Sequence, residues 1–170
     1  MTNVLIVFAG PACSGKSTLA AEVARGRGLP HLSMDATRQR LLPHAGHTRD
    51  DRAVAYRAMH FAAELLLAAG AGAVLDAPYG HAEDRAELEQ VGAGRIKLIE
   101  CQVSPETAMA RLRARGIPDP ARPDLTEERV ARLNREHVYS GKGMLLDTDR
   151  LSMDDCLARI EQYLGPAQES

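Results

Sequence analysis

Short apolar runs alternate along the chain with longer stretches in which apolar residues recur every three or four positions, a pattern of strands and amphipathic helices taking turns. The first run, Val4 to Ala9, reads as a buried strand, and a helix follows from about Gly15 to Arg25, stopped by Gly26 and Gly28. Leu29 to Ser33 reads as a second strand, and Asp35 to Leu42 as a helix ended by Pro43. Beyond a polar loop, His44 to Asp50, a long helix is expected from about Asp51 to Ala69, with Val54, Phe61 and Leu65 on its apolar stripe. Ala73 to Leu75 is strand three, closed by Asp76. A turn at Pro78-Tyr79-Gly80 leads into a helix from His81 to Val91, and Ile96 to Cys101 is strand four. Ser104-Pro105-Glu106 is a strong helix start, a capping hydroxyl followed by proline at the first helical position, and that helix breaks at Gly116. Ile117 to Pro123 is too stiff and polar for core. Asp124 or Thr126 caps a helix to about His137, Met144 to Leu146 makes strand five, and Ser152 to Leu164 a closing helix before a frayed tail, Gly165 to Ser170. Five strands separated by helices, joined by right-handed crossovers, predict an α/β fold: a three-layer α/β/α sandwich on a five-stranded parallel sheet.

Composition narrows this picture. A chain of 170 residues fits one domain, 1–170. The net charge of −2 and the absence of tryptophan argue against a broad basic footprint or base stacking on single-stranded nucleic acid, without excluding a local basic groove. No apolar stretch is long enough to span a bilayer, and Met1-Thr2-Asn3 lacks the basic start of a signal peptide. Cys13, Cys101 and Cys156 are odd in number, far apart and without C-x-x-C spacing, so reduced thiols in a cytoplasmic protein are expected rather than a disulfide framework or zinc site.

The chemistry concentrates after the first strand. Gly10-Pro11-Ala12-Cys13-Ser14-Gly15-Lys16-Ser17 matches G-x-x-x-x-G-K-[ST] without a mismatch, and Thr18 continues into the helix. Glycines let successive N–H groups turn inward, and the helix N-terminus adds the positive end of its dipole. Lys16 is expected on the β- and γ-phosphates of a nucleotide and the Ser17 hydroxyl on Mg²⁺. Cys13, beside Lys16 and a helix N-terminus, is expected to favour its thiolate, so that a thiol reagent blocks activity and ATP protects; the alternative is a small filler side chain.

Ligands of open parallel sheets gather at the carboxyl ends of the strands, so the residues there belong together. Asp35 and Arg38, after strand two, share a helix face. They offer a carboxylate to orient an attacking hydroxyl and a cation for the transferring phosphoryl group; as the alternative, Asp35 caps and Arg38 is solvated. Asp76 ends strand three, a position for the Mg²⁺ shell or for a turn. Arg111 and Arg115 stand one turn apart before the stiff loop, reading as lid arginines over a triphosphate (lid about 111–125) or as a basic helix end. Arg113 and Arg122 are weaker candidates. Arg40, His44, His47, Arg49 and Arg52, set against Asp50 and Asp51, mark a loop region where an acceptor or simply solvent could sit.

These residues resemble the phosphate-loop kinase family typified by phage-type polynucleotide 5′-kinases, which includes small chloramphenicol-phosphotransferase-like enzymes. The resemblance runs through Gly10 to Thr18, Asp35 and Arg38, Asp76 and Arg85, Arg111 and Arg115, and Leu145-Leu146-Asp147-Thr148. It implies the nucleotide-kinase-like fold of P-loop nucleoside triphosphate hydrolases, with ATP and Mg²⁺. It further implies Asp35 as general base, Arg38 on the acceptor or the transferred group, Asp76 and Arg85 holding the acceptor, and Arg111 with Arg115 in the lid. Because the loop from His44 to Asp50 mixes acids with bases, a small hydroxylated acceptor (nucleoside, sugar or antibiotic-like) is favoured over a polynucleotide end. A P-loop ATPase or switch without an acceptor is the reading from another class.

Overall fold

Every residue of β1 (Leu5–Ala9) is buried, as a strand must be when helices cover both faces of its sheet. The computed structural model describes residues 3–44, 48–116, 122 and 124–166. Within them, β1 is joined on one side by β3 (Ala73–Asp76) and then β2 (His31–Ser33), and on the other by β4 (Ile96–Gln102) and β5 (Met144–Asp147). All four pairings are parallel, with Phe8 level with both Asp76 and Ile99. The chain fills the β2–β3 side first and then crosses β1 to add β4. The crevice at such a reversal opens at the carboxyl end of β1, where the glycine-rich loop begins.

Successive side chains of a strand point to opposite faces, so β1 feeds two cores. Leu5, Val7 and Ala9 pack with Tyr56, Met59 and Leu67 of α3 (Arg49–Ala68), Met34 of α2 (Met34–Leu41), and Leu88 of α4 (Ala82–Gly92). Ile6 and Phe8 pack with Leu19 and Val23 of α1 (Lys16–Arg27) and with Cys156 and Ile160 of α7 (Met153–Leu164). A third cluster, Cys13, Val103, Ala108, Leu112, Leu125 and Val130, ties α5 (Pro105–Arg115) and α6 (Glu127–Glu136) to the glycine-rich loop. Each large side chain enclosed this way contributes about 1.5–3 kcal/mol.

Helix starts follow their caps. The hydroxyls of Ser104, Thr126 and Ser152 accept from the amide three residues on, which settles the choice between Asp124 and Thr126 for α6. Thr48 and Asp51 form a capping box, so α3 begins at Arg49, inside the expected loop. Gly26 lies within α1, and Gly28 ends it in the left-handed conformation at φ 63°.

The stripe expected on α3 is a correction. Val54, Phe61 and Leu65 are exposed, and the buried face is Ala55, Tyr56, Met59, His60, Ala63 and Leu67. The inner face lies about half a turn from the expected stripe, because it uses alanines, a tyrosine and a histidine, which a search for large aliphatic residues passes over. Residues 45–47 of the polar loop, 117–121 and 123 of the proline-rich segment, and 167–170 of the tail lie outside the described residues.

Candidate active site

The loop after β1 needs its glycines. Gly10 has φ 149°, and a Cβ there would lie 2.6 Å from the Cys101 carbonyl oxygen and 2.8 Å from Ser14 Oγ. Gly15, at φ 84°, is the N-cap of α1. Behind the loop, its carbonyls are taken up one by one. Asn134 of α6 donates Nδ2–H to Ala12 O at 3.1 Å. Arg111 of α5 donates to Cys13 O at 3.2 Å and to Thr148 Oγ1 and O at 3.0 and 2.6 Å. The Thr148 hydroxyl lies 3.0 Å from Ser14 O. A trans peptide sets its N–H opposite its C=O, so outward carbonyls at 12 to 14 turn the amides of 13 to 15 to the other side. Ser14 N–H makes only a 3.4 Å contact to Pro11 O. The result is an anion cradle at the N-terminus of α1, with Lys16 beside it on the wall of a cavity.

Lys16 is nearly enclosed, and no carboxylate among the described residues pairs with its ammonium. Below it, Asp76 is buried at the end of β3 with Oδ1 lacking any hydrogen-bond partner, while His31 Nε2 is 3.8 Å from Oδ2. Lys16 and Asp76 act on the Cys101 thiol with opposite signs, although burial dominates there and pushes the thiol up to about 12. The described residues gather no group of three His, Cys, Asp or Glu side chains around a metal position. A magnesium ion carried in on nucleotide phosphates needs only one or two protein oxygens. The exposed Ser17 hydroxyl and the orphaned Asp76 oxygen fit that need.

Two cavities flank the loop. On the β3 side, about 140 Å³ opens between Pro11, Lys16, Tyr56, Gly80 and His137, with Arg49, Arg52 and Arg122 on its wall. On the β5 side, about 200 Å³ opens between Gly15, Thr18, Arg111, Arg115, Thr148 and Leu151. The cradle joins them.

Among the predicted residues, Pro11, Ala12 and Lys16 line the β3-side cavity and Gly15 and Thr18 the β5-side one, while Asp35 reaches the β3-side wall through Arg122. Asp35, at the start of α2, is bound by Arg122 Nη1 at 2.7 Å, which also holds Asp124. Arg38 is buried one turn on, with Nε unpartnered, rather than sharing an open face with Asp35. Arg85, expected to help hold the acceptor, follows β3 on α4. Its guanidinium lies outside the β3-side cavity, donating to Tyr79 O at 2.7 Å and Val138 O at 3.2 Å. It braces Tyr79, a non-glycine residue at φ 50° whose amide donates to Tyr56 and whose hydroxyl meets His60 Nε2 at 3.0 Å. That turn shapes the cavity wall at Gly80.

Arg111 and Arg115, expected as lid arginines over the triphosphate, both line the β5-side cavity, and Arg111 is also fixed to the back of the loop. The weaker candidate Arg122 reaches Asp35. The Cys13 side chain packs in the third apolar cluster at 5 % exposure, which fits the filler alternative and not a reactive thiolate. No cysteine is bridged.

Sequence reasoning missed Asn134, Tyr56 and His137, because nothing in their local pattern distinguishes them from ordinary helix and loop residues. His137 lies against Gly80. Burial, helped by Lys16, lowers its pKa to about 4, so its ring is neutral at pH 7.

A five-stranded parallel sheet whose central strand delivers this glycine-rich loop, with a cavity on either side, is the P-loop, nucleotide-kinase-like fold. The chain belongs to the AAA domain family, whose model matches residues 5–138. No curated protein matches it in sequence. The fold is shared with solved structures of low identity. A sugar kinase from Janibacter sp. HTCC2649 is 18% identical at a TM-score of 0.72, covering 95% of this chain and 94% of that one. A gluconokinase from Sinorhizobium meliloti 1021 is 18% identical at 0.70, covering 96% of each chain. The APS kinase of Mycobacterium tuberculosis, in complex with AMPPNP and APS, is 24% identical at 0.73, covering 95% and 96%. Among the described residues no helix is long and apolar enough to cross a membrane.

Proposed function

We propose that this single domain is an ATP- and magnesium-dependent kinase that moves the γ-phosphoryl group onto a hydroxyl of a small molecule. The observation that carries this is the pair of cavities joined by one phosphate cradle: a nucleotide base fits the β5 side and an acceptor the β3 side, with the triphosphate lying across the loop between them. The sugar kinase, gluconokinase and APS kinase that share the fold act on small molecules, which supports the same acceptor class here.

In this reading the loop amides and Lys16 hold the β- and γ-phosphates. Ser17 and Asp76 hold the magnesium ion, which when bound neutralises phosphate charge. The acceptor oxygen attacks the γ-phosphorus in line, the bond to the β–γ bridging oxygen breaks, and ADP leaves. The acceptor proton passes to Asp35, which Arg122 orients. Arg111, Asn134 and Thr148 act through the loop they brace. Arg115 lines the base side.

The test is incubation with ATP labelled in its γ-phosphate and a panel of nucleosides, sugars, aminocyclitols and 5′-hydroxyl oligonucleotides. Label on a small acceptor is the expected result. Label on the oligonucleotide alone, lost as salt rises, makes the protein a polynucleotide 5′-kinase. ATP hydrolysis with no labelled acceptor makes it an ATPase or switch.

A further inference from the structure

Arg52, in the second turn of α3, lies on the wall of the β3-side cavity, and among the described residues no ion pair neutralises its charge. Its Nη2 is fully enclosed and has no hydrogen-bond partner. Two carboxylates stand close, but both are already engaged. Asp35 takes Arg122 at 2.7 Å, and Asp124 takes Arg122 at 3.1 Å and Arg129 at 3.4 Å. Three guanidinium groups therefore share two carboxylates, and Arg129 Nε is unpartnered as well. Of the other wall cations, Arg49 is neutralised by Asp84 through two hydrogen bonds at 2.9 and 3.1 Å, and Lys16 lies beside the cradle. Glu136 lies exposed at the rim.

An enclosed guanidinium nitrogen left without an acceptor is costly, and cations crowded around it add to that cost. Burial, then Arg122 and Arg129, hold the Arg52 pKa below its usual value, in keeping with a missing counter-charge. The chain as a whole is slightly acidic, so this surplus is local to the cavity.

We propose that the phosphoryl acceptor carries, besides its reacting hydroxyl, an oxyanion (carboxylate, phosphate or sulfate ester) that docks on Arg52. This rests on the kinase reading for the word acceptor, but the anion subsite can be measured without turnover. Such a group completes the cluster, and charge-assisted bonds to a planar guanidinium fix its orientation as well as its position. Neutral sugars of the same shape leave Arg52 unanswered, so the cavity selects against them.

The experiment has two arms, each run on the wild type, Arg52→Gln and Arg52→Lys, with folding checked by melting curves. In the first, Mg·AMPPNP saturates the phosphate cradle and inorganic sulfate is titrated while the melting temperature is followed. A sulfate-dependent rise is expected in the wild type, a weaker one in Arg52→Lys and none in Arg52→Gln. In the second arm, gluconate, glucose 6-phosphate and glucose 6-sulfate are compared with glucose as acceptors of labelled phosphate. An anionic member is expected to react where glucose does not, with its KM raised roughly ten- to hundredfold in Arg52→Gln. Glucose reacting as well as its anionic relatives, or sulfate stabilising wild type and Arg52→Gln alike, overturns the proposal. If sulfate stabilisation depends on Arg52 but none of the four compounds and no member of the wider acceptor panel is labelled, the anion subsite stands and the kinase reading falls.

Discussion

At Gly10 the chain turns out of β1 so close to the neighbouring strand that a methyl group on its α-carbon would sit 2.6 Å from the Cys101 carbonyl oxygen. Gly10→Ala must displace either the loop or the Cys101 backbone. We expect it to abolish nucleotide binding by calorimetry even where circular dichroism shows a folded sheet. In the proposed reaction Lys16 holds the phosphates and Asp35 takes the acceptor proton. Removing one preorganised charge partner of the transition state typically costs on the order of a hundred- to a thousandfold in rate. Lys16→Met and Asp35→Asn should each lose at least that much kcat, with Asp35→Asn retaining ATP affinity. Near-normal turnover in Asp35→Asn would hand the base role to Asp76. At this scale the sequence was most informative where a side chain's type fixed its task. The tight turn at Gly10 and Gly15 and the strand end at Asp76 could be read because glycine and a strand-end carboxylate are strong local signals. The backbone carbonyls that Arg85 and Arg111 bind were not legible, because a guanidinium does not reveal from sequence what it will face.

Between elements, α5 and α6 act on the loop from behind, through Arg111 and Asn134. Asn134→Ala leaves the Ala12 carbonyl without its donor. A loss of about 1–3 kcal/mol is expected in urea unfolding, together with a weaker affinity for Mg·AMPPNP than a purely distant core change would give. The residues just past α6 add a pH dependence. His137 titrates near 4 in the folded protein, against 6.5 ordinarily. Between those values the unfolded chain binds the extra proton, so stability is intact at pH 7 and falls as pH drops from about 6.5 toward 4. His137→Asn should flatten that slope in denaturant titrations; an unchanged slope would show that other groups govern it. Element positions were legible because caps and glycine stops are local signals. The inner face of α3 was not, since alanine, tyrosine and histidine become core only through what β1 and β3 present to them.

Taken as one object, the molecule is a sheet whose central strand delivers a loop into the crevice between two cavities. The alternation of strands and helices made the α/β class readable, but the order β2-β3-β1-β4-β5 depends on long-range pairing that no local pattern records. The same holds for the cavities, which are assembled from distant segments. Phe8, wholly buried at the centre of the second core, reports on the integrity of this frame. Phe8→Ala should lower unfolding free energy by about 3–5 kcal/mol, and a loss under 1 kcal/mol in urea titration would place the core elsewhere. The most direct test of the account is titration calorimetry of Mg·AMPPNP into the wild-type protein and into Lys16→Met. Saturable one-to-one binding, weakened at least tenfold by the substitution, is the predicted result. No heat of binding to a folded wild-type chain, or equal affinity in both proteins, would contradict it.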